Sequence, residues 1–436
     1  MKLRALCATA AFFAAGAMAL PTVAAPVENA TSQSGTLPHG GSYMIYRDPT
    51  IGAAAIDLWF RAPGAGYDNN APGISRLAAT AAAAARLESG RSLAELVRSV
   101  GGRLSINAYP DIVGISVIVP SNAASRTIAS MTAAYFSPSI DDNALKTAQR
   151  DSAVLAVQQR YSSDSTLHNA LFAEVFSSGP AHITPLPSSV SDITRIQLDE
   201  VTAFAQRAFR SSNAFLTLAG DVNASNIGVV TNGSGNGSPD NPFDSTVASA
   251  PKADSTISGN VAGIGLAWVG PSIHDERAAT ALDFVADYLF RDETGLISKN
   301  LDSSDDAYVD GQFITLHDPG VMLVTIGGSK DDDVRARVLA AVNKLMQPMD
   351  PKAFAAAREA FLYHLASDMQ LPGQQADNLG WYAAEGNAGY APGDSSGTYW
   401  KNAQTLDPEF VASVVKQYLS HPVVVRLLAT AKESSS

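Results

Sequence analysis

The sequence contains one cysteine, Cys7, and it lies inside an N-terminal segment typical of a secretory signal peptide. Lys2 and Arg4 precede an apolar stretch, Ala5–Leu20, and small residues follow up to Ala25. This order of basic, apolar and small residues predicts a signal peptide cleaved after Ala25. The mature chain then has no cysteine, so its stability must come from burial of apolar surface rather than from disulfide bonds.

The chain also lacks a second long apolar run and an excess of basic charge. No stretch after the leader approaches the roughly 18 apolar residues that a membrane span needs, so we expect no span once the signal peptide is removed. The 30 Lys and Arg residues are outnumbered by 42 Asp and Glu residues, for a net charge of −12. This balance argues against a nucleic-acid partner, which requires a basic patch. We expect a secreted protein of the periplasm of a Gram-negative bacterium.

Several motifs of nucleophilic and metal catalysis are missing. The sequence has no Gly-x-Ser-x-Gly elbow, and its cysteine leaves with the signal peptide. No two of its seven histidines are spaced i, i+4. His364 and Asp368 have that spacing, but we interpret them as an exposed pair on a helix face.

The first half of the mature chain alternates strand and helix patterns. The segment Gly52–Arg61 is predicted to be a strand, and the alanine-rich run Gly73–Arg86 a helix, because alanine has the highest helix propensity. Ser92 and Glu95 predict a capping box at the start of the next helix. The remaining predicted elements are two strands within Arg103–Val119, two helical stretches over Ala123–Phe176, a helix over Asp192–Phe209 and a strand over Phe215–Val222.

The same order of elements recurs after a segment rich in Gly, Ser and Pro. The second set has strands at Gly263–Pro271, Gly311–Leu316, Val321–Gly327 and Val423–Ala429, and helices at Ala278–Phe290, Asp331–Met346, Pro351–Met369, Gln374–Gly386 and Asp407–Leu419. A repeated order of this kind predicts an internal duplication. We predict a signal peptide at 1–25, a first domain at 26–228, a linker at 229–256 and a second domain at 257–436.

Several short motifs, taken in order, resemble a known family. They are Gly73 followed by Gly101-Gly102, the Pro-rich segment Pro180–Ser188, the closing segment Phe209–Val222, Tyr308, and Asp318-Pro-Gly320. The chain resembles the pitrilysin/insulinase family of zinc peptidases, in the class of the mitochondrial processing peptidase and its short bacterial relatives. The resemblance implies an α+β fold of two tandem homologous domains, each a mostly antiparallel sheet with helices on one face, forming half of a clamshell.

Active members of that family carry His-x-x-Glu-His on their first long helix. Two histidines one helical turn apart bind one zinc ion, and the glutamate is the base that activates water. The preceding glycine places these positions on Arg76, Ala79 and Thr80, none of which can do this chemistry. The family's third ligand is a glutamate on the helix that corresponds to Lys146–Arg160, and the only acid in that segment is Asp151.

The resemblance therefore implies a homologue with no catalytic residue and no metal of its own. We expect it to pair with an active zinc-bearing homologue as a heterodimer, or with itself, and to help enclose an extended peptide. The predicted substrate-binding residues are Tyr308 and, on a strand edge at Ile112–Val119, Ile112, Gly114 and Ser116. Two alternatives remain: a structural or assembly protein of the cell envelope, and an active zinc endopeptidase with non-standard ligands.

Overall fold

Two β-sheets form the framework of the protein, one from each half of the chain. The computed structural model describes residues 31–38, 40–61, 71–178, 190–230, 246–249, 254–301, 307–328 and 331–430. The strands of the first sheet are β1 (Thr31–Thr36), β2 (Ser42–Arg47), β3 (Ala53–Arg61), β4 (Arg103–Ala108), β5 (Ile112–Pro120) and β7 (Ala214–Gly220). Those of the second are β9 (Ser255–Gly259), β10 (Gly263–Val269), β11 (Ala307–Ile314), β12 (Val321–Gly328) and β13 (Val423–Ala429). The short strands β6 (Phe176–Ser178) and β8 (Thr246–Val247) pair with each other.

The two sheets share one topology. The first has the strand order β1-β2-β7-β3-β5-β4, and the second has the order β9-β13-β10-β12-β11. From β2 and β9 onward the orders correspond strand for strand, and β2/β7 and β9/β13 are the parallel pairs in otherwise antiparallel sheets. The predicted fold class, two tandem homologous α+β domains, is therefore confirmed. Because β9 begins at Ser255, the second sheet starts slightly before residue 257.

The helices of the first half come from three regions between its strands. They are α1 (Ile74–Ala84), α2 (Leu93–Ser99), α3 (Ala124–Phe136), α4 (Asp142–Gln159), α5 (Ser163–Val175), α6 (Val190–Arg195) and α7 (Leu198–Ala208). The helices of the second half are α8 (Glu276–Phe290), α9 (Asp331–Leu345), α10 (Pro351–Asp368), α11 (Pro372–Ala384), α12 (Thr398–Thr405) and α13 (Pro408–Tyr418). In the part of the chain described, no helix has the length and apolar character to cross a bilayer.

Local sequence explains where several helices begin. The predicted capping box is present at α2, where the Ser92 hydroxyl accepts from the Glu95 N–H at 3.1 Å and the Glu95 carboxylate accepts from the Ser92 N–H at 2.9 Å. The segment Ala123–Phe176 holds three helices rather than the predicted two. The Ser162 side chain accepts from the backbone N–H of Ser165 and so starts α5 as a separate helix.

Each sheet is covered on one face by helices of its own half and on the other by a helix from the opposite half. Leu167 and Leu171 of α5 lie against the second sheet, and α11 lies against the first. The approach is close enough to require glycine on both sides. A Cβ at Gly265 of β10 would lie 2.7 Å from Leu171 Cδ1, and a Cβ at Gly380 of α11 would overlap the indole of Trp59 on β3. The helices thus cover both sheet faces, and the two halves share one interface.

Candidate functional site

Helix α1 carries Arg76, Ala79 and Thr80, the positions onto which the resemblance places the zinc motif. Gly73 precedes the helix with φ of 85°, a left-handed conformation that glycine adopts without strain. The alanines that follow are almost fully buried, and α1 packs against α3, α4 and α7 as well as the sheet. The small side chains let these neighbours approach the helix closely.

Arg76, on the first turn of α1, points toward the sheet. Its guanidinium Nη1 donates a hydrogen bond to the carbonyl oxygen of Ile106 on β4. Burial lowers the pKa of Arg76, and the nearby Tyr109 opposes that shift. Among the described residues, none forms an ion pair with Arg76. The side chain is therefore a half-buried cation with most of its donors uncommitted.

The other two positions are also unsuited to a zinc ion. Ala79 is fully buried, and its backbone carbonyl accepts a hydrogen bond of 2.9 Å from the Tyr135 hydroxyl. The Thr80 hydroxyl donates to the Arg76 carbonyl at 2.8 Å. A permanent cation, a methyl group and a hydroxyl committed to its own helix do not form a zinc site. Within the described ranges, no cluster of three His, Cys, Asp or Glu side chains could hold a metal ion.

Helix α4, predicted from the resemblance to face the motif, does lie beside it. Thr147, Asp151 and Ser152 of α4 line one cavity together with Arg76 and Thr80 of α1. Asp151 is exposed, whereas Ser152 is 5% exposed and its hydroxyl has no hydrogen-bond partner. The helix thus lies where the resemblance implied, and it brings two hydroxyl groups and the exposed carboxylate of Asp151 to the site, but no glutamate.

The cavity has a volume of about 410 Å³ and lies between α1, α2, α4 and β4. Its remaining lining residues are mainly small or aliphatic: Ala83, Ala84, Ala94, Val97, Arg98, Gly102, Leu104 and Ile106. Arg98 and Asp151 are exposed, so the cavity opens to solvent between α2 and α4. This space therefore lies beside the positions onto which the resemblance places the zinc motif, and its lining is partly polar.

The prediction that Ile112–Val119 forms a sheet edge is wrong. This segment lies in β5, which pairs with β3 on one side and β4 on the other. Its backbone groups are therefore committed on both sides, and β4 is the edge strand at this end of the sheet, with β1 at the other. Two adjacent strands of a hairpin have the same alternating pattern, so the pattern alone does not tell which of them pairs with β3.

The predicted binding residues on β5 face the second half of the chain. Ile112 packs with Trp59 and Phe215 against α11, and a Cβ at Gly114 would lie 2.8 Å from the Trp59 ring. Ser116 pairs across the sheet with Asp57. These three residues belong to the interface between the halves, so a peptide along a sheet edge would not reach them.

Tyr308 lies on β11, the edge strand of the second sheet. Its hydroxyl is hydrogen-bonded to the hydroxyl of Ser163, the first residue of α5. The side chain is 44% exposed, and partial burial raises its pKa even though the bond to Ser163 opposes the shift. Tyr308 thus joins the two halves, and its predicted role in binding substrate stays a prediction.

A cluster of buried acidic groups at the interface was not found from the sequence. Burial raises the pKa of Asp57 on β3, and the charge of Asp377 on α11 adds to the shift. Asp111, in the turn between β4 and β5, faces Glu385 at the end of α11. Burial raises the pKa of Asp111 to about 6, and burial together with the Asp111 charge raises the pKa of Glu385 well above its usual value.

Other contacts hold this cluster in place. Glu385 accepts a hydrogen bond of 3.0 Å from the His317 N–H, and Arg61 Nη2 donates to the Ala383 carbonyl at 3.3 Å. A signal was present in the sequence, since Asp57 is the one charged residue in the otherwise apolar stretch Ala53–Phe60. Its partners come from the distant helix α11 and could not be identified without the fold.

Comparison with solved structures identifies the fold. A protease from Helicobacter pylori superposes with a TM-score of 0.77 at 16% identity, covering 91% of this chain and 99% of that one. An M16-like peptidase from Alicyclobacillus acidocaldarius gives 0.75 at 14% identity, covering 93% and 100%. A peptidase M16 inactive domain from Pseudomonas fluorescens gives 0.72 at 16% identity, covering 92% and 99%. No family model and no curated protein sequence matches the chain.

Proposed function

We propose that this chain, which has the two-sheet fold of M16-type peptidases, is a non-catalytic subunit that pairs with a zinc-bearing homologue and helps to hold an extended peptide. The observation that carries the proposal is the arrangement on α1. Arg76 is hydrogen-bonded to β4, Ala79 is packed in the core, and Thr80 is bonded to its own helix. The likeness to an inactive M16 domain supports the same reading.

The edge strand β4 is the place where a peptide would add to the first sheet. Tyr109 N–H donates to the Ile112 carbonyl at 2.8 Å, which makes these two residues a hydrogen-bonded pair. Because such pairs alternate along an antiparallel ladder, Leu104, Ile106 and Ala108 direct their backbone groups away from β5, and of these groups the Ile106 carbonyl is already bonded by Arg76. An extended peptide can bond to this edge as an additional strand. We place the complex in the periplasm, where the predicted signal peptide would deliver it.

Zinc content and peptide cleavage test the proposal directly. The purified chain is expected to contain far less than one zinc per molecule by elemental analysis and to leave an unstructured peptide uncut. Capture from a periplasmic fraction should then recover a relative that carries His-x-x-Glu-His. Stoichiometric zinc with cleavage would contradict the proposal, and recovery of an envelope assembly without such a relative would favour the structural alternative.

Restoring the zinc motif is expected to give no peptidase. The triple variant Arg76→His, Ala79→Glu, Thr80→His lacks the family's third ligand, because α4 has no glutamate at the cavity and its one acid there, Asp151, has a shorter side chain and is exposed. The glutamate at position 79 must also enter a fully buried site, and overpacking of that kind lowers the free energy of unfolding by roughly 1–3 kcal/mol. Elemental analysis, cleavage assays and urea unfolding check both expectations.

A double variant, Arg76→His with Thr80→His, is the matched control because it leaves Ala79 in place. It should be more stable than the triple variant and equally inactive. Efficient cleavage by the triple variant would show that another residue supplies the third ligand.

A further inference from the structure

The cavity beside α1 has two features of a ligand site that the proposed function does not use. Arg76 is a half-buried cation. Among the residues that the structure describes, its guanidinium donates one hydrogen bond, although the group has five N–H donors. Ser152 lines the same cavity, is 5% exposed, and has a hydroxyl without a partner. Buried polar groups are normally satisfied, so these two indicate a polar ligand.

The charges around the cavity indicate a monoanion. Arg76 is the one cation of the lining that is not exposed, and Arg98 and Asp151 at the rim carry opposite charges. The hydroxyls of Thr80 and Thr147 donate to helix carbonyls at 2.8 and 2.9 Å, which leaves the Ser152 hydroxyl free to donate. One guanidinium and one hydroxyl match a carboxylate, which a guanidinium binds through two parallel hydrogen bonds.

The rest of the lining indicates what carries the carboxylate. Ala83, Ala84, Val97 and Leu104 offer aliphatic surface, and a cavity of about 410 Å³ lies at the small end of the range for ligand sites, roughly 300–1,000 Å³. The lining thus suits a short aliphatic group next to the carboxylate, as in a C-terminal leucine or valine.

The edge strand indicates that this carboxylate is a chain end. Arg76 occupies the Ile106 carbonyl, which a passing peptide strand would need as an acceptor. A peptide laid antiparallel to β4 runs from Ala108 toward Leu104, so its C-terminal end arrives at the cavity. A peptide that ends here has no following N–H that would need the Ile106 carbonyl. Its terminal carboxylate can instead pair with the Arg76 guanidinium that occupies this carbonyl.

We propose that the cavity binds the C-terminal carboxylate and aliphatic last side chain of a peptide that lies antiparallel along β4. The proposal rests on the proposed function for strand addition at β4, whereas the carboxylate site itself depends on Arg76 and Ser152. The shared chemistry is a carboxylate on a short aliphatic group, which a free N-acylated amino acid also supplies.

Fluorescence anisotropy with a matched pair of peptides tests this proposal on the unaltered chain. The probe is a short, N-terminally labelled peptide rich in Val and Thr that ends in leucine, prepared as the free acid and as the C-terminal amide. The acid should bind at least about tenfold more tightly than the amide, because the amide loses a charge-assisted hydrogen-bonded pair. Equal affinities would overturn the carboxylate site and leave peptide holding by β4 intact.

Two variants locate the effect. Arg76→Gln should abolish the preference for the acid, whereas Arg98→Gln, which changes the exposed arginine of the same cavity, should retain it. If Arg76→Gln fails to fold, as judged by its thermal transition, the acid and amide comparison on the unaltered chain still decides. A preference that persists in a folded Arg76→Gln variant would overturn the assignment.

N-acetyl-leucine separates the two sources of carboxylate. Its displacement of the acid peptide would support a shared site. Arg76-dependent binding of N-acetyl-leucine without binding of either peptide would support the carboxylate site and count against the proposed peptide function. Binding of neither peptide nor N-acetyl-leucine would overturn the inference.

Discussion

Replacing Trp59 by alanine is expected to lower the free energy of unfolding by about 3–5 kcal/mol, the range for removing a large aromatic side chain from a core. Trp59 is 1% exposed and lies at the centre of the interface between the halves. Its ring stacks on Tyr109 and meets Trp381 edge-on, with centroid separations of 6.2 Å in both cases. Gly114 and Gly380 leave the space that the indole fills.

The loss of stability should be specific to residues of the interface. A urea titration measures it through the midpoint and the slope of the unfolding transition. Tyr363→Ala is the control, because that side chain is 59% exposed and such substitutions usually change stability by no more than about 0.5 kcal/mol. A loss below about 1 kcal/mol for Trp59→Ala would show that α11 does not depend on this contact.

Glu385→Gln is expected to stabilise the protein at pH 8 and to have little effect near pH 4, because burial and the Asp111 charge disfavour the ionised glutamate. In the unaltered chain, two buried carboxyl groups, Asp111 and Glu385, face each other across the interface. At position 385, a glutamine can accept from the His317 N–H as the glutamate does, and it can donate its amide hydrogens to Asp111. The variant removes one buried charge while keeping the shape of the pair.

The direction of the pH dependence follows from the raised pKa values. Burial raises the pKa of Asp111 from 3.8 to about 6, and the pKa of Glu385 is raised well above 4.5. Between about pH 4 and these values the folded chain holds more protons than the unfolded chain, so stability falls as pH rises. Asp111 alone should contribute a loss of about 3 kcal/mol across this interval.

The matching control for this prediction is Glu359→Gln, which neutralises an exposed carboxylate on α10. Urea midpoints measured from pH 4 to pH 8 should change with pH by the same amount in this variant and in the unaltered chain. In Glu385→Gln the midpoint should change less with pH. A Glu385→Gln variant that is less stable than the unaltered chain at pH 8 would contradict this prediction. It would show that favourable electrostatic interactions stabilise the Glu385 carboxylate in the folded chain.

Local features were predictable from the sequence, and long-range pairing was not. The capping box at Ser92 involves residues within one helical turn, so its pattern suffices to predict it. The sheet edge depends on whether β4 or β5 pairs with β3, which distant β3 residues decide. Likewise, Arg76 could be recognised as unable to bind zinc, but its bond to Ile106 needs the packing of α1 beside β4.

The family resemblance predicted more of the architecture than the residue patterns did. It placed α4 beside α1, and the cavity lined by both helices agrees with that placement. The binding residues Ile112, Gly114 and Ser116 were predicted on a strand that is not at the edge, because a residue pattern does not say what the opposite half covers. The contact of α11 with β3, β5 and β7 determines the environment of those side chains.

The exchange of helices between the halves has a consequence for synthesis of the chain. The face of the first sheet that carries Trp59 and Asp57 is complete once β7 ends at Gly220, but its cover, α11, begins at Pro372. At translation rates of about 5–20 residues per second, α11 follows β7 by roughly 8–30 s. Until α11 is in place, the first half presents an uncovered apolar face around Trp59, so this face is exposed whenever the first half is ordered before the second.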